Sequence, residues 1–257
     1  MTFNVRTSSA LDDGLDHWWL RRHRVLRTLR EAGAQVVALQ EVRPGQLRYL
    51  SRRLPDHRVA ASGRDRDGRG EACPVLVGPG CVLDGWEVRW LSPEPDVAGS
   101  RFPGATLPRI CTLARVTDVA TGARLTVANT HLDHRRRDLR ARSARLLRQW
   151  AEADDRPWVV VGDLNCAVDA PELAPLLDGG WSDALASLPP RGSAAATFHG
   201  FTGTADGARI DHVLVPAAVE VAASRVVRAT YRPASDHWPV VADLRPRPAG
   251  AAGTPGS

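Results

Sequence analysis

The sequence has no lysine: all 34 of its Lys+Arg positions are arginine. Schiff-base chemistry and the lysine of a Walker A phosphate loop are thereby excluded. Only four cysteines occur in 257 residues, and Cys73, Cys81, Cys111 and Cys166 show no C-x-x-C spacing. That argues against zinc and thioredoxin-type sites, and reads the thiols as small buried hydrophobes in a reducing compartment. No apolar run approaches the ~20 residues that span a bilayer, so no transmembrane helix is expected. The opening residues, Met1-Thr2-Phe3-Asn4-Val5-Arg6, lack the charged, apolar and small-residue order of a secretory signal, and a cytoplasmic location is the expectation.

What is present is a globular composition, 43% hydrophobic and 25% charged with a formal net charge of +5. This excludes a disordered chain, a collagen-like repeat and a minimal disulfide scaffold. Arginine enrichment beside so much alanine, glycine and proline is the pattern of codon bias, so the basic charge is weak support for nucleic-acid binding. Apolar runs predict strands over Thr2-Val5, Gln35-Gln40, Ile110-Val116, Arg124-Asn129, Trp158-Gly162, Ile210-Val215 and Pro239-Leu244. Helical spacing predicts helices from Trp19 to Ala32, after Pro44 through Leu47, Leu50 and Leu54, and from Arg136 to Ala151. The last has Leu139, Ser143, Leu146, Leu147 and Trp150 inside, with its arginines on a solvated outer face. Trp18 and Trp19 read as anchors at the start of the first helix. Polar loops are expected over 62–70 and 93–108. One domain over residues 1–244 is the simplest reading, with a disordered tail over 245–257.

Polar residues cluster at the ends of these strands, where a sheet can aim them into one cleft. Asn4 follows the first strand, Gln40-Glu41 ends the second, and Asn129-Thr130-His131 ends the fourth. Gly162-Asp163-Leu164-Asn165 ends the fifth, Arg209-Ile210-Asp211-His212 opens the next, and Ser235-Asp236-His237-Trp238-Pro239 precedes the last. Singly, each fragment reads equally as a helix cap, a turn or a structural histidine.

Together and in this order, TFNVR, LQEV, NTHLDH, GDLN, RIDHVLV and SDHWPV resemble the endonuclease/exonuclease/phosphatase superfamily over residues 2–241. The stretches at Trp90-Ser100, Leu107-Thr112 and Thr197-Phe201 are similar to a bacterial branch of metal-dependent hydrolases. The resemblance implies an α/β fold, a four-layer α-β-β-α sandwich of two mixed sheets with helices outside. Short apolar strands without strict βαβ regularity agree with two packed sheets. It further implies that Glu41 is the principal metal ligand, helped by Asn4 and Asp236. Asp163 would orient or deprotonate the attacking water, Asn165 would hold a phosphoryl oxygen, Asp211 would orient His237, and His131 would serve the phosphate or leaving group. Oxygen ligands without thiolate suit Mg²⁺ or Mn²⁺ before Zn²⁺. Arg109, in the LPRICT stretch, is the expected phosphate fork, with an outward loop arginine as the other reading, and Asn129 is a further substrate-binding candidate. Thr197, Phe198, His199 and Phe201 read as a recognition wall or equally as a buried aromatic corner, and Trp238 as walling the site or packing beneath it. His134 and His212 adjoin the motifs, and strand alternation turns His212 away from the cleft. Neither Tyr49 nor Tyr231 lies where AP endonucleases place their phosphate-contacting tyrosine, which counts against abasic-site cleavage.

The expected activity is therefore hydrolysis of a phosphodiester or phosphomonoester by in-line attack of water. The expected partner is a phosphate-ester substrate, a nucleotide or nucleic acid among the options, and the expected state is a monomer. Two alternatives use the same residues: a non-catalytic binding module on this fold, and a nucleic-acid binder driven by arginine charge.

Overall fold

In the computed structural model, residues 1–186, 195–229 and 232–247 are described. The strands are β1 (Thr2–Asn4), β2 (Val36–Gln40), β3 (Arg58–Ala60), β4 (Val75–Val77), β5 (Cys81–Trp90), β6 (Ile110–Asp118), β7 (Arg124–His131), β8 (Trp158–Asp163), β9 (Ser182–Asp183), β10 (Asp211–Val215), β11 (Val219–Val226) and β12 (Val240–Pro246). The helices are α1 (Trp18–Ala32), α2 (Pro44–Ser51), α3 (Arg137–Glu152) and the single turn α4 (Ala174–Leu177).

One sheet has the order β11-β12-β1-β2-β4-β3 and the other β5-β6-β7-β8-β10-β9. In each, a parallel pair stands at the centre, β1 with β2 and β7 with β8, and every other pairing is antiparallel. A parallel pair needs a crossover, and α1 and α3 supply it. Both sheets are mixed, as expected, and helices lie outside them.

Strand alternation builds the layers. Ala38 and Val75 of the first sheet meet Ala114, Val127, Val159, Val161 and Val213 of the second in the inter-sheet core. The intervening Val37, Leu39 and Leu76 face outward, with Phe3, against Trp18, Val25, Leu26, Leu29 and Leu50 of α1 and α2. On the second sheet, Leu113, Ala128, Val160 and Leu214 face Ala144 and Leu147 of α3 and Leu173 and Leu176 beyond it. Period two sends alternate residues of one strand to two different cores. α1 ends where Gly33 takes a left-handed φ of 61° and its N–H bonds the Arg30 carbonyl. Gly162 in β8 has φ 143°, and a Cβ there would collide with the Thr130 carbonyl oxygen, so the close approach of β7 at this point requires glycine.

Three local expectations change. Arg140 of α3 is buried, bonding Glu172 through Nε at 3.0 Å and Nη2 at 2.6 Å, so the arginine face is not wholly solvated. Trp18 is buried but Trp19 is 63% exposed, its ring covered by the Arg22 guanidinium rather than by core. β12 continues to Pro246, which brings 245 and 246 into the sheet, and residues 248–257 of the expected tail lie outside the described residues. No helix among the described residues is long and apolar enough to cross a membrane.

Candidate active site

The central strands of both sheets end on one side of the sandwich. β1 delivers Asn4 beside Gln40, its register partner on β2, and Glu41 follows immediately. β7 delivers His131 beside its partner Asp163 on β8, and antiparallel β10 starts with Asp211 opposite the same Asp163. Because Val240 of β12 pairs with Thr2, the preceding Asp236 and His237 arrive at the end of β1.

The chain turns sharply as it leaves these strands. Among the described residues, the non-glycine positions with positive φ are Arg6, Glu41, Asn165 and Phe201, at 56°, 61°, 54° and 65°. Such conformations cost of order 1–2 kcal/mol each, and they are held where surrounding bonds over-determine them. Asn4 Nδ2 donates to Glu41 Oε1 and to Asp163 Oδ2, both at 3.0 Å, while its oxygen accepts the Arg6 N–H at 2.9 Å. Glu41 Oε2 accepts the Thr7 N–H at 2.9 Å. Asp163 Oδ1 accepts the Asn165 N–H at 3.0 Å, and the Asn165 amide donates to the Leu132 carbonyl.

Arg21 is a site residue the sequence reading missed. Fully buried, it donates to the carbonyls of Val5, Arg6, Asp16 and Ala234, tying α1 to the two loops that carry Glu41's neighbours and Asp236. Burial lowers its pKa to about 10. The available signal was an arginine among the apolar positions of α1, three residues after Trp18 and four before Val25. Gln46 was also missed: it accepts the N–H groups of Ser8 and Arg43 and donates to the Arg6 carbonyl.

The titrating groups are pushed apart. His237 Nδ1 lies 2.8 Å from Asp211 Oδ2 and its Nε2 lies 3.7 Å from Asp163. Burial opposes its charge, but Asp211 and Asp163 outweigh burial and raise its pKa to about 10. His131, whose Nε2 is 3.6 Å from the same Asp163 oxygen, is held well below the ordinary histidine value by burial and then by Arg109. Burial and Asp211 raise Asp163 to about 7, and burial also raises Asp236.

Several expected contacts fall elsewhere. Asn129 is completely buried, donating to the Leu39 and Pro74 carbonyls and accepting from Gln40, so it joins the two sheets beneath the cleft and does not line it. Phe198 is partly exposed and stands edge-on to His237, with ring centroids 5.0 Å apart, as a site wall would. His199 and Trp238 instead stack on each other at 4.2 Å and are buried, which makes them the aromatic corner. His212 turns away from the cleft, bonding Asp183 and the Cys166 carbonyl. Arg109 lies within electrostatic reach of His131 and contacts His134. A cavity of about 1620 Å³ opens at the other end of the sandwich against Val116, Val127 and Leu244, and contains none of these groups.

The described residues bring one set of acidic and histidine ligand atoms within 4.8 Å of one another: Asp163, Asp211 and His237. Asp211 and His237 spend their facing atoms on their mutual hydrogen bond, which suits proton handling better than metal ligation. Glu41, half-buried and adjoined by Asp163 and Asp236, offers the hard oxygen donors. Asn4 directs its N–H groups, not its oxygen, at the neighbouring carboxylates.

No curated protein matches the chain. Among solved structures, an endonuclease/exonuclease/phosphatase from Bacteroides vulgatus is similar at 30% identity and TM-score 0.86, covering 96% of this chain and 97% of that one. A mannosyl-6-phosphatase from Bacteroides thetaiotaomicron is similar at 25% identity and TM-score 0.86, covering 95% and 98%. TDP2 from D. rerio, complexed with single strand DNA product, shares the fold at 19% identity and TM-score 0.73, covering 95% and 97%. The Endonuclease/Exonuclease/phosphatase family matches residues 1–237, and with the strand-end carboxylates and histidines in its order, the chain belongs to that family.

Proposed function

We propose that the protein is a divalent-cation-dependent phosphoesterase that hydrolyses a P–O bond by in-line attack of water. The observation that carries this reading is the opposite tuning of two imidazoles around one carboxylate. His131 is kept neutral and His237 charged, both within 3.7 Å of Asp163. Environments that separate such groups assign acid and base roles. Asp163, with its pKa near about 7, orients water and takes its proton. The His237 imidazolium, fixed by Asp211, stabilises charge growing on the phosphoryl oxygens, while neutral His131 and the Asn165 side chain offer N–H groups to the same phosphate.

The donor set fits Mg²⁺ or Mn²⁺: carboxylate oxygens without thiolate, crowded enough that Glu41 makes the ionisation of both Asp163 and Asp236 harder. Glu41 and Asp236 would hold the ion, with Asn4 steadying Glu41. When bound, it would neutralise phosphoryl and leaving-group charge. Phe198 walls the substrate beside His237. A small phosphomonoester is favoured, because a mannosyl-6-phosphatase is similar at 25% identity and TM-score 0.86, against 19% and 0.73 for TDP2 with its single strand DNA product.

The test is hydrolysis of p-nitrophenyl phosphate and bis-p-nitrophenyl phosphate with Mg²⁺, Mn²⁺ or excess chelator. Activity should need the cation and survive the exchange of Mg²⁺ for Mn²⁺. Glu41→Gln keeps the shape but removes the charge, and should cost about a hundredfold or more in rate. Full activity in chelator, or an unaffected variant, overturns the assignment.

A further inference from the structure

Beside His131 the molecule collects more hydrogen-bond donors than acceptors. Arg64 lies in the polar 62–70 loop, and Arg109 stands one residue before β6. Two tethers bring them together. The Trp90 indole donates to the Arg64 carbonyl at 2.8 Å, and Trp90 is the register partner of Ile110, the neighbour of Arg109. Arg109 is 8% exposed and the Arg64 side chain 12%. One N–H of Arg64 goes to Glu71 at 2.7 Å and one of Arg109 goes to His134 Nδ1 at 3.2 Å, but the Nε of each is buried without a partner.

His134 repeats the shortage. Its Nε2 faces Arg135 Nε at 3.0 Å while its Nδ1 faces Arg109. A neutral imidazole has one acceptor nitrogen, so His134 can accept from only one of these guanidinium groups, and the exposed Arg135 can turn to water while Arg109 cannot. The electrostatics agree: burial and then Arg64 work against the charge on Arg109, and burial and then Arg109 lower the pKa of His134. Two buried guanidinium Nε donors without partners, with a carboxylate hydrogen-bonded only to Arg64, leave room for an acceptor-rich anion.

The geometry points to an anion subsite made by Arg64, Arg109 and His134, next to His131, which takes a second phosphate group of the substrate. The scissile phosphate lies at Asp163 and Glu41, and His131 adjoins both positions. The substrate class is then a phosphoester carrying another phosphate close to the bond that is cleaved. This use of the subsite rests on the phosphoesterase reading, whereas anion binding itself does not.

The experiment is calorimetric titration of inorganic phosphate into the full chain in excess chelator, where carboxylates without a cation repel the anion and binding reports the arginines. Wild type should bind saturably. Arg64→Gln and Arg109→Gln should each weaken binding about tenfold or more, as expected for lost charge-assisted bonds. Arg145→Gln, on the exposed face of α3, should leave it unchanged. Absence of saturable binding, variants equal to wild type, or an equal loss in Arg145→Gln would each overturn the subsite. Thermal melts verify folding, and if Arg109→Gln is unfolded, Arg64→Gln in its polar loop decides alone. Aryl phosphate hydrolysis is read on the cation-loaded enzyme with substrates lacking a second phosphate, so either result can fail while the other stands.

Discussion

His237 and His131 are the same residue type within 3.7 Å of one carboxylate, yet their environments give them opposite charge states. Asp211 makes the difference, since its bond to His237 is direct while Arg109 is the strongest charge acting on His131. His237→Ala should therefore lower the turnover of the folded protein by about two to four powers of ten, with some loss of melting temperature because Asp211 loses its buried partner. Steady-state kinetics beside a thermal melt checks this, and a loss below about threefold removes His237 from the mechanism. Asn129 is the opposite case. Asn129→Ala strands the Leu39 carbonyl in the interior and takes one bond each from the Pro74 carbonyl and the Gln40 amide, which keep the Leu39 N–H and Thr2 as partners, so urea denaturation should report a loss of about 2–3 kcal/mol. The rate of the folded fraction should stay near wild type. In sequence the two residues looked alike, both polar and both at a strand end. Only the partner sheet, which supplies three bonding partners to Asn129, tells them apart.

The strands legible from apolar runs, β1, β2, β6, β7, β8, β10 and β12, all lie inside the two sheets, where β4 is the one further interior strand. Those that escaped include all four edges, β3, β5, β9 and β11, and the three-residue β4. An interior strand is apolar because it is covered, whereas an edge such as β11 (VEVAASRV) is largely solvated and its polar residues hide the pattern. The two-residue β9 is held by side chains. Asp183 accepts from His212 and lies 3.6 Å from Arg209. Burial alone would raise the Asp183 pKa, but these partners outweigh it and hold the carboxyl below its ordinary value. A depressed folded pKa contributes stability that is complete above the unfolded value near about 3.9 and is lost as pH falls through the folded value. The urea midpoint of wild type should accordingly fall more steeply below about pH 4 than that of Asp183→Asn, and parallel curves would contradict the assignment.

At the scale of the molecule, each sheet repeats one arrangement: a central parallel pair with a helical crossover and antiparallel strands on both sides. The candidate site lies where the two parallel pairs end, so its carboxylates come from both sheets. A cation held there would join them, and would bind only the folded chain. Saturating Mg²⁺ at about a hundred times Kd should stabilise the protein by about 2.7 kcal/mol, a rise of roughly 5–10 °C in Tm, and Glu41→Gln should abolish the rise. Calorimetric melts with Mg²⁺ and with chelator measure it. By itself the sequence determined the central strands, the three long helices, the family and the identity of the strand-end carboxylates and histidines, because apolar periodicity and residue type are local properties. Tertiary structure alone decided that Asn129 bonds across the sheets, that Arg21 and Arg140 are buried, that His199 packs on Trp238, and that Arg109 lies within electrostatic reach of Arg64. Each depends on which groups arrive from distant segments to supply or withhold a partner, and burial and pairing of that kind are set by the assembled sheets.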